Sequence, residues 1–513
     1  MKKVIAGILV LCMCFAVFAC SKEKDGDEGS SGAPVKDTLT MSITGDRGTL
    51  DPNGLLGGSE YLDAIRMVSE PLFDFKANGE KVWKLAVGID EPSPTQWVIH
   101  LRKDVVFSNG NKFTAEDVMF TFDRANNTPG SPPFYPVLDL DNSRIIDDYT
   151  VELNFFEYDL SSMPNIPTML IYDAESFDED ANSQNPIGTG PYVVSDYVVG
   201  SHLHMKARDD YWGDKPKIEN LQFKVLNEDS QRINALEIGS VDIATIPNQD
   251  IDYVKTLDGL DVILRPTGST MAVWFNISEL SIFDDVIARY AVCHAIDRDA
   301  IIDLVYNGYA SLTYWPNAMN LSDYEERYAN VHPIYSVGYD TDLAVQYAEQ
   351  SGLVGKDVII ATDGSPNNIT IAELIQQNLR DIGINAIINN YDAASYYDVT
   401  NDPSLFDIRL GMVFPPSRNS AQNFYGWVFW TLLNRGGWLN FDRYMELAGG
   451  VMGIYDDAER SDVIFELNKM HSEAALWFAL CDLQSAIGAS SDIRGIEQMA
   501  LGNIYYSDLY WAQ

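Results

Sequence analysis

Cysteine is scarce in this sequence, and long apolar segments are scarcer still. Of five cysteines in 513 residues, only Cys293 and Cys481 lie beyond residue 20, which excludes a fold held together by disulfides. Both stand among apolar residues, where we expect buried thiols. Beyond residue 20 no uninterrupted apolar stretch reaches about 18 residues, the length that a membrane-crossing helix needs. A chain of this length can form two or three domains, each with its own core.

Basic residues are also few. The sequence has 35 Lys and Arg residues against 75 Asp and Glu residues, a formal net charge of -40. Binding to nucleic acid depends on neutralising phosphate charge, so nucleic acid is excluded as a partner. Charge repulsion keeps copies of such a chain apart, and we expect a monomer. A hydrophobic content of 46% with 12% aromatic residues indicates a folded chain and not a disordered acidic tail.

Motifs for catalysis or tight metal binding are missing. The sequence contains no H-E-x-x-H, no G-x-S-x-G, no P-loop and no paired C-x-x-C, and nothing selects a catalytic pair among its many carboxylates. His202 and His204 are two residues apart on a predicted strand, so they share a face and could form half of a metal site. No third ligand stands near them in the sequence, and we predict an exposed strand edge instead. The sequence thus predicts no enzyme, no cofactor and no metal.

The first twenty residues have the layout of a secretory signal. Lys2 and Lys3 precede an apolar run at residues 4–18, and Ala19-Cys20 follows. Residues 17–20 (VFAC) resemble a bacterial lipobox, in which the cysteine becomes the lipidated first residue of the mature chain, although Phe18 replaces the usual small residue. The alternative is cleavage by ordinary signal peptidase, with Cys20 incidental. Residues 21–34 are rich in charge, Gly and Ser and predict a flexible tether.

Periodicity beyond residue 34 indicates mixed α/β structure. Residues 96–109 read as a strand, and a helix capped by Thr114 follows. Residues 192–197 and 202–206 form a predicted hairpin. A strand at 358–361, a helix at 370–381 and a strand at 384–388 make a β-α-β unit, which implies a parallel strand pair with a crossover helix. The predicted class is therefore α/β with mixed sheets.

Residues 97–125 (WVIHLRKDVVFSNGNKFTAEDVMFTFDRA) resemble the signature of the family 5 solute-binding proteins of ABC importers, which include oligopeptide-, dipeptide- and nickel-binding proteins. The resemblance extends over nearly the whole chain beyond the tether. It continues through Thr49-Leu50-Asp51-Pro52, Glu70-Pro71-Leu72, Gly188-Thr189-Gly190-Pro191-Tyr192, Tyr211-Trp212, Ala295-Ile296-Asp297-Arg298, Tyr339-Asp340, Phe406-Asp407 and Ala458-Glu459-Arg460. We expect most of these residues to serve folding and not binding, with Gly188 and Gly190 in tight turns and Trp97 and Trp212 in the core.

The resemblance implies a periplasmic-binding-protein clamshell of two lobes and three domains, closing on a ligand by rotation about a hinge. The expected parts are a signal peptide at 1–20, a tether at 21–34, a main domain of lobe 1 at 35–55, 186–265 and 488–513, an extra domain of lobe 1 at 56–185, and lobe 2 at 266–487. The implied function is capture of short peptides and their delivery to permease subunits. The implied location is a bacterial membrane, through a lipid on Cys20, facing the periplasm or the cell exterior.

One stretch departs from the family pattern. Peptide binders of this family carry a Trp-x-x-Asp-Tyr-type motif after the equivalent of Phe406-Asp407, and its aspartate holds the α-ammonium of the peptide. Here residues 410–419 (LGMVFPPSRN) contain no carboxylate, and an ungapped register puts Pro416 at the aspartate position. A buried ammonium without a counter-charge is costly. Another part of the chain supplies the carboxylate, or the ligand has no free amine.

We place the ligand at this stretch and at the aromatic residues that follow it. Arg409 and Arg418 could hold a carboxylate bidentately, or both could be solvated surface side chains. The aromatic residues could line the site or pack in the core. Our alternatives to a peptide binder are a binder of an oligosaccharide or another non-peptide solute, and a sensor or adhesin lipoprotein without a permease. The predicted ligand-binding residues are Arg409, Gly411, Met412, Val413, Phe414, Arg418, Trp427 and Trp438.

Overall fold

A computed structural model describes residues 36–46, 48–51, 60–75, 81–127, 135–160, 162–279, 281–414, 419–432, 440–496 and 505–512. The signal peptide, Cys20, the tether, Arg418 and Trp438 lie outside these residues, and so does the side chain of Trp427. Within the described ranges, no helix is both long and apolar enough to cross a membrane.

The strands fall into one large sheet and three small ones. In chain order they are β1 Thr38–Ile43, β2 Phe73–Phe75, β3 Lys81–Trp83, β4 Ala86–Ser93, β5 Gln96–Leu101, β6 Leu138–Asp147, β7 Thr150–Phe155, β8 Tyr192–Val198, β9 His202–Ala207, β10 Asn220–Val225, β11 Ile243–Ile246, β12 Leu260–Phe275, β13 Ala310–Leu312, β14 Asp357–Thr362, β15 Asn385–Asn390, β16 Ile408–Val413, β17 Trp477–Ser490, β18 Ile493–Arg494 and β19 Tyr510–Trp511.

Most of the helices lie in the second half of the chain. They are α1 Glu60–Ile65, α2 Ala115–Asn127, α3 Glu179–Gln184, α4 Asp229–Glu237, α5 Ile251–Lys255, α6 Val286–Ala295, α7 Arg298–Tyr306, α8 Pro333–Ser336, α9 Thr341–Ser351, α10 Pro366–Asp381, α11 Ala393–Asn401, α12 Ser420–Leu432, α13 Phe441–Gly450 and α14 Asp457–Ala474.

Two long antiparallel strands, β12 and β17, join the halves of the large sheet. Its order is β15-β14-β16-β12-β17-β11-β1-β10-β9-β8, with β13 beside β17. The pairing of β12 with β17 shifts between Pro266 and Thr270. A large apolar cluster begins at Met271 and ends at Cys481, and others lie on the far side of the shift. The molecule is thus a bilobed clamshell of mixed α/β class, with both long strands running from one lobe into the other. The residue boundaries of the three domains stay a prediction.

Local sequence signals explain why several elements form where they do. Trp97, Ile99 and Leu101 alternate along β5 and are buried, as the period-2 pattern predicts. Helix α2 begins with a reciprocal cap, because the Asp117 carboxylate accepts the Thr114 N–H at 2.7 Å and the Thr114 hydroxyl accepts the Glu116 N–H at 3.3 Å. The β14-α10-β15 unit is parallel, and the β8-β9 hairpin is antiparallel. The cap, the β-α-β unit and the hairpin are confirmed, whereas the strand predicted at residues 96–109 ends at Leu101.

Three residues of the family signature, Glu70, Tyr211 and Trp212, form one network. The Glu70 carboxylate accepts hydrogen bonds from the Tyr211 hydroxyl at 2.7 Å and from the Trp212 indole N–H at 2.8 Å. Gly188 and Gly190 lie against the backbone of residues 67–68, and a Cβ added at Gly190 would stand 2.5 Å from the Met67 carbonyl oxygen. Neither glycine has a positive φ. The chain bends at residues 189–191, and glycine is required there because close backbone approach excludes a side chain, not because of a left-handed φ.

Candidate binding site

The crossing of β12 and β17 sets the place of the predicted ligand site. Thr270, the first residue of β12 beyond the register shift, pairs with Val413 on one side and with Asp482 on the other. Strand β16 therefore ends where the backbone passes between the lobes. Residues 410–413 lie at this level of the sheet.

The Asp482 carboxylate links β17 to β12 where the two strands pass between the lobes. It accepts the Thr270 hydroxyl at 2.8 Å and the Met319 N–H at 2.8 Å. Burial raises its pKa to about 6, because removal of water disfavours the charged form. This side chain ties β17 to β12 and to the segment after β13, which brings three chain segments together beside the end of β16.

The side chain of Arg409, on β16, is buried. Its guanidinium carbon is 4.4 Å from the centroid of the Trp274 ring, and only 8% of the residue is exposed. The Trp274 indole N–H donates to the Gly411 carbonyl at 3.3 Å, and the Trp274 ring packs 4.8 Å from that of Trp477. For Arg409 the solvated alternative is thus wrong, because cation–π contact and burial hold the side chain in place.

Tyr396 completes this support. Its hydroxyl donates to the Leu410 carbonyl. Burial raises the pKa of Tyr396 to about 12, while the charge of Arg409 and a hydrogen bond to it oppose the rise. A Cβ at Gly411 would come within 3.1 Å of Nη1 of Arg409, so a larger residue there would displace the guanidinium. The arrangement fixes the backbone of residues 410–411.

The other predicted residues of β16 divide by face. Val413 is buried at 1% exposure, whereas Met412 and Phe414 are 50% and 42% exposed. Strand β14 pairs with β16 only at Ile408 and Arg409. From Leu410 onward, the side of β16 away from β12 faces no paired strand within the residues that the structure describes. Met412 and Phe414 are therefore half exposed beside this edge of β16.

A carboxylate stands beside the open edge. Asp363 follows the last residue of β14, which runs parallel to β16, and it is close enough to Tyr396 to raise the pKa of that phenol. Burial opposes ionisation of Asp363, but hydrogen bonds from Ser365 and Asn368 outweigh it and lower its pKa. All three of those hydrogen bonds end on Oδ1. The sequence reading missed Asp363 because only the parallel pairing of β14 with β16 brings it there.

Two further expectations concern His202 and His204 and the two cysteines. The interpretation that no third ligand lies near His202 and His204 is wrong, because Asp196 on β8 reaches both imidazoles. The hairpin turn brings Asp196 back beside His202, six residues later in the sequence.

Cys293 and Cys481 are free and buried, as expected for thiols in apolar surroundings.

Comparison with known proteins agrees with this architecture. The chain is 28% identical over 396 residues to di/tripeptide-binding protein 1 of Pseudomonas aeruginosa, covering 70% of this chain and 72% of that protein. It is 25% identical over 430 residues to heme-binding protein A of Haemophilus influenzae, covering 76% of each. The crystal structure of the ABC transporter substrate-binding protein CtaP of Listeria monocytogenes superposes with a TM-score of 0.80 at 20% identity, over 93% of this chain and 100% of that one.

These relatives are binding proteins and not enzymes, which agrees with the absence of catalytic motifs in the sequence. The sequence profile of the bacterial extracellular solute-binding proteins, family 5, matches residues 84–431. The chain therefore belongs to this family of extracytoplasmic substrate-binding proteins of ABC importers.

Proposed function

We propose that this protein binds short peptides along the open edge of β16 and delivers them to the permease subunits of an ABC importer. The observation that carries the proposal is the side of β16 away from β12, where Met412 and Val413 have no neighbouring strand within the described part of the chain. An extended peptide can add to such an edge as a further strand, and its main-chain hydrogen bonds do not depend on its sequence. The name of the Pseudomonas relative, a di/tripeptide-binding protein, supports the same ligand class.

Asp363 supplies the carboxylate that is missing at position 416, where this chain has proline. A peptide laid along β16 needs a counter-charge for its α-ammonium, and the carboxylate of Asp363 lies beside the same edge in ionised form. Its Oδ2 accepts no hydrogen bond within the described part of the chain, so it can accept one from an ammonium. Met412 and Phe414 supply apolar surface for side chains of the ligand.

Arg409 has a different part in this proposal from the one that the sequence suggested. Its guanidinium packs on Trp274 and interacts with Tyr396. We therefore assign it to the positioning of β16 and not to direct capture of a carboxylate. Arg418, Trp427 and Trp438 stay predicted ligand contacts on the basis of sequence alone.

The test is calorimetric titration of the protein from residue 35 onward with di- and tripeptides. Asp363→Asn should weaken affinity by about 10- to 100-fold, the range for one charge-assisted hydrogen bond of roughly 1.5–3 kcal/mol. Asp357→Asn is the matched control, because Asp357 begins the same strand at its opposite end and is exposed. It should leave affinity unchanged.

N-acetylated peptides separate the ammonium contact from the rest of the site. They should bind the parent protein and Asp363→Asn with equal affinity. If the unmodified peptides also bind both proteins equally, Asp363 is not the counter-charge. Native mass spectrometry of gently purified protein that recovers a sugar or another amine-free solute, and no peptide, contradicts the peptide assignment itself.

The lipid anchor is a separate part of the proposal and rests on the sequence of residues 17–20. We expect the full chain expressed in a bacterium to partition with membranes and to gain the mass of a diacylglyceryl modification. Cys20→Ser should abolish both. An unchanged membrane association in that variant contradicts lipidation at Cys20.

A further inference from the structure

A cluster of two histidines and one aspartate lies on the β8-β9 hairpin, at the end of the large sheet. His202 and His204 are two residues apart on β9, so they project from the same face. Asp196 pairs with His204 across the hairpin, next to a register shift in β8. The cluster is partly exposed, with 24%, 33% and 58% exposure for the side chains of His202, His204 and Asp196.

The three side chains are close enough to share one ion. Nε2 of His202 is 2.9 Å from Oδ2 of Asp196, and Nδ1 of His204 is 4.0 Å from the same oxygen. The ligand atoms of the three residues all lie within 4.8 Å of one another. Ligands bonded at about 2.0–2.2 Å around one metal stand roughly 3–4 Å apart. Small side-chain rotations therefore suffice to converge on a cation.

The two imidazole rings of the cluster lie against each other. The imidazole rings stack with centroids 4.4 Å apart, and two protonated rings at that distance would repel each other. Metal binding requires neutral imidazole and carboxylate.

The charged groups around the cluster leave room for a cation. Lys224 on β10 pairs with His202, but its ammonium donates to the Ser240 carbonyl at 2.9 Å. Lys206 on β9 has its ammonium 3.6 Å from a carboxylate oxygen of Glu219. Ser201 contacts Nδ1 of His202 at 3.0 Å, which orients the ring with Nε2 toward Asp196. Such an outer contact is typical of metal-binding histidines.

We propose that Asp196, His202 and His204 form a site for one borderline transition-metal cation of the Zn²⁺, Ni²⁺ or Cu²⁺ class, with water in the remaining positions. Imidazole nitrogen with a single carboxylate suits these ions, whereas Mg²⁺ and Ca²⁺ require mainly oxygen ligands. The site lies on strands at one end of the sheet, separated from β16 by β10, β1, β11, β17 and β12 in the sheet order. It is therefore independent of the proposed peptide site.

The test is calorimetric titration of the protein from residue 35 onward with Zn²⁺ and with Ni²⁺. We expect one site, and we expect His202→Ala and His204→Ala each to weaken it by more than about tenfold, since even the outer partners of metal ligands are worth roughly 10–100-fold. His100→Ala is the matched control, because His100 is partly exposed on β5 and also faces an aspartate, Asp90, at 2.8 Å, but has no second imidazole beside it within the described residues. It should bind like the parent protein.

A spectroscopic measurement identifies the ligands directly. Electron paramagnetic resonance of the Cu²⁺-loaded protein should show two coordinated imidazole nitrogens, and one in either histidine variant. Absence of binding to the parent protein at millimolar metal overturns the proposal, since the cluster is then only an ion pair on a hairpin. Equal loss in His100→Ala, or full binding after both histidines are replaced, also overturns it. Peptide affinity should stay unchanged in all these variants.

Discussion

Replacement of Asp482 by asparagine should stabilise the protein above pH 6 and leave its stability unchanged near pH 4. The folded state holds the proton of Asp482 up to pH about 6, whereas an unfolded aspartate releases it near 3.8. Between these values the folded state binds more protons than the unfolded state, so stability falls as pH rises. Asparagine removes this loss because it carries no charge at any pH.

The size of the effect follows from the same two numbers. The difference between about 6 and 3.8, at about 1.4 kcal/mol for each pH unit, is worth about 3 kcal/mol. Asparagine can keep both contacts, because its oxygen can accept the Met319 N–H and its amide can donate to the Thr270 oxygen. The full difference should therefore appear by about pH 7.5 and be absent near pH 4.

The assay is urea unfolding of parent and Asp482→Asn proteins at half-unit steps from pH 4 to pH 8. Only the difference in free energy of unfolding between the two proteins is used, which cancels the titration of the other carboxylates. Asp261→Asn, an exposed position on the lobe 1 half of β12, measures the general effect of removing one negative charge. A difference curve for Asp482→Asn that does not rise through pH 6 refutes the burial argument, and so does one that matches the curve of Asp261→Asn.

Two other predictions test the packing. Gly190→Ala should destabilise the protein by about 1–3 kcal/mol in urea unfolding, because its Cβ would meet the Met67 carbonyl. Gly88→Ala is the control and should leave the free energy of unfolding almost unchanged, because its Cβ meets nothing within 4 Å. Equal losses of stability in the two variants would contradict the close-approach argument. Burial raises the pKa of Cys293 and Cys481. A thiol reagent should therefore modify neither cysteine in the folded protein from residue 35 onward and both in urea, with one fewer in Cys481→Ser.

Local signals in the sequence were sufficient to predict the elements whose contacts come from residues close together in the chain. The alternation along β5, the reciprocal Thr114 and Asp117 cap and the hairpin of β8 and β9 depend on residues near one another in the chain. The family signature extended this to the whole fold. Three of its residues, Glu70, Tyr211 and Trp212, contact one another through hydrogen bonds, which shows a structural role for them.

Sequence alone could not place the residues whose neighbours come from distant strands. The sequence left Arg409 as either a carboxylate-binding or a solvated side chain, and only the pairing of β16 with β12 puts it over Trp274. Asp363 becomes a neighbour of residues 410–414 through the pairing of β14 with β16. Asp196 reaches His204 through the register of the hairpin. In each case the contact depends on the order or the register of the strands, and neither can be read from the composition of the sequence.

The network around Glu70 and the edge of β16 differ in how much change each tolerates. The network around Glu70 tolerates little, because its carboxylate is buried and the adjoining glycines admit no side chain. The edge of β16 has no such constraint, because Met412 and Phe414 are half exposed and a main-chain edge forms hydrogen bonds whichever side chains it carries. Under the proposed function, Asp363 at the end of β14 takes the part of the carboxylate that position 416 lacks, and such a change requires no repacking of either lobe.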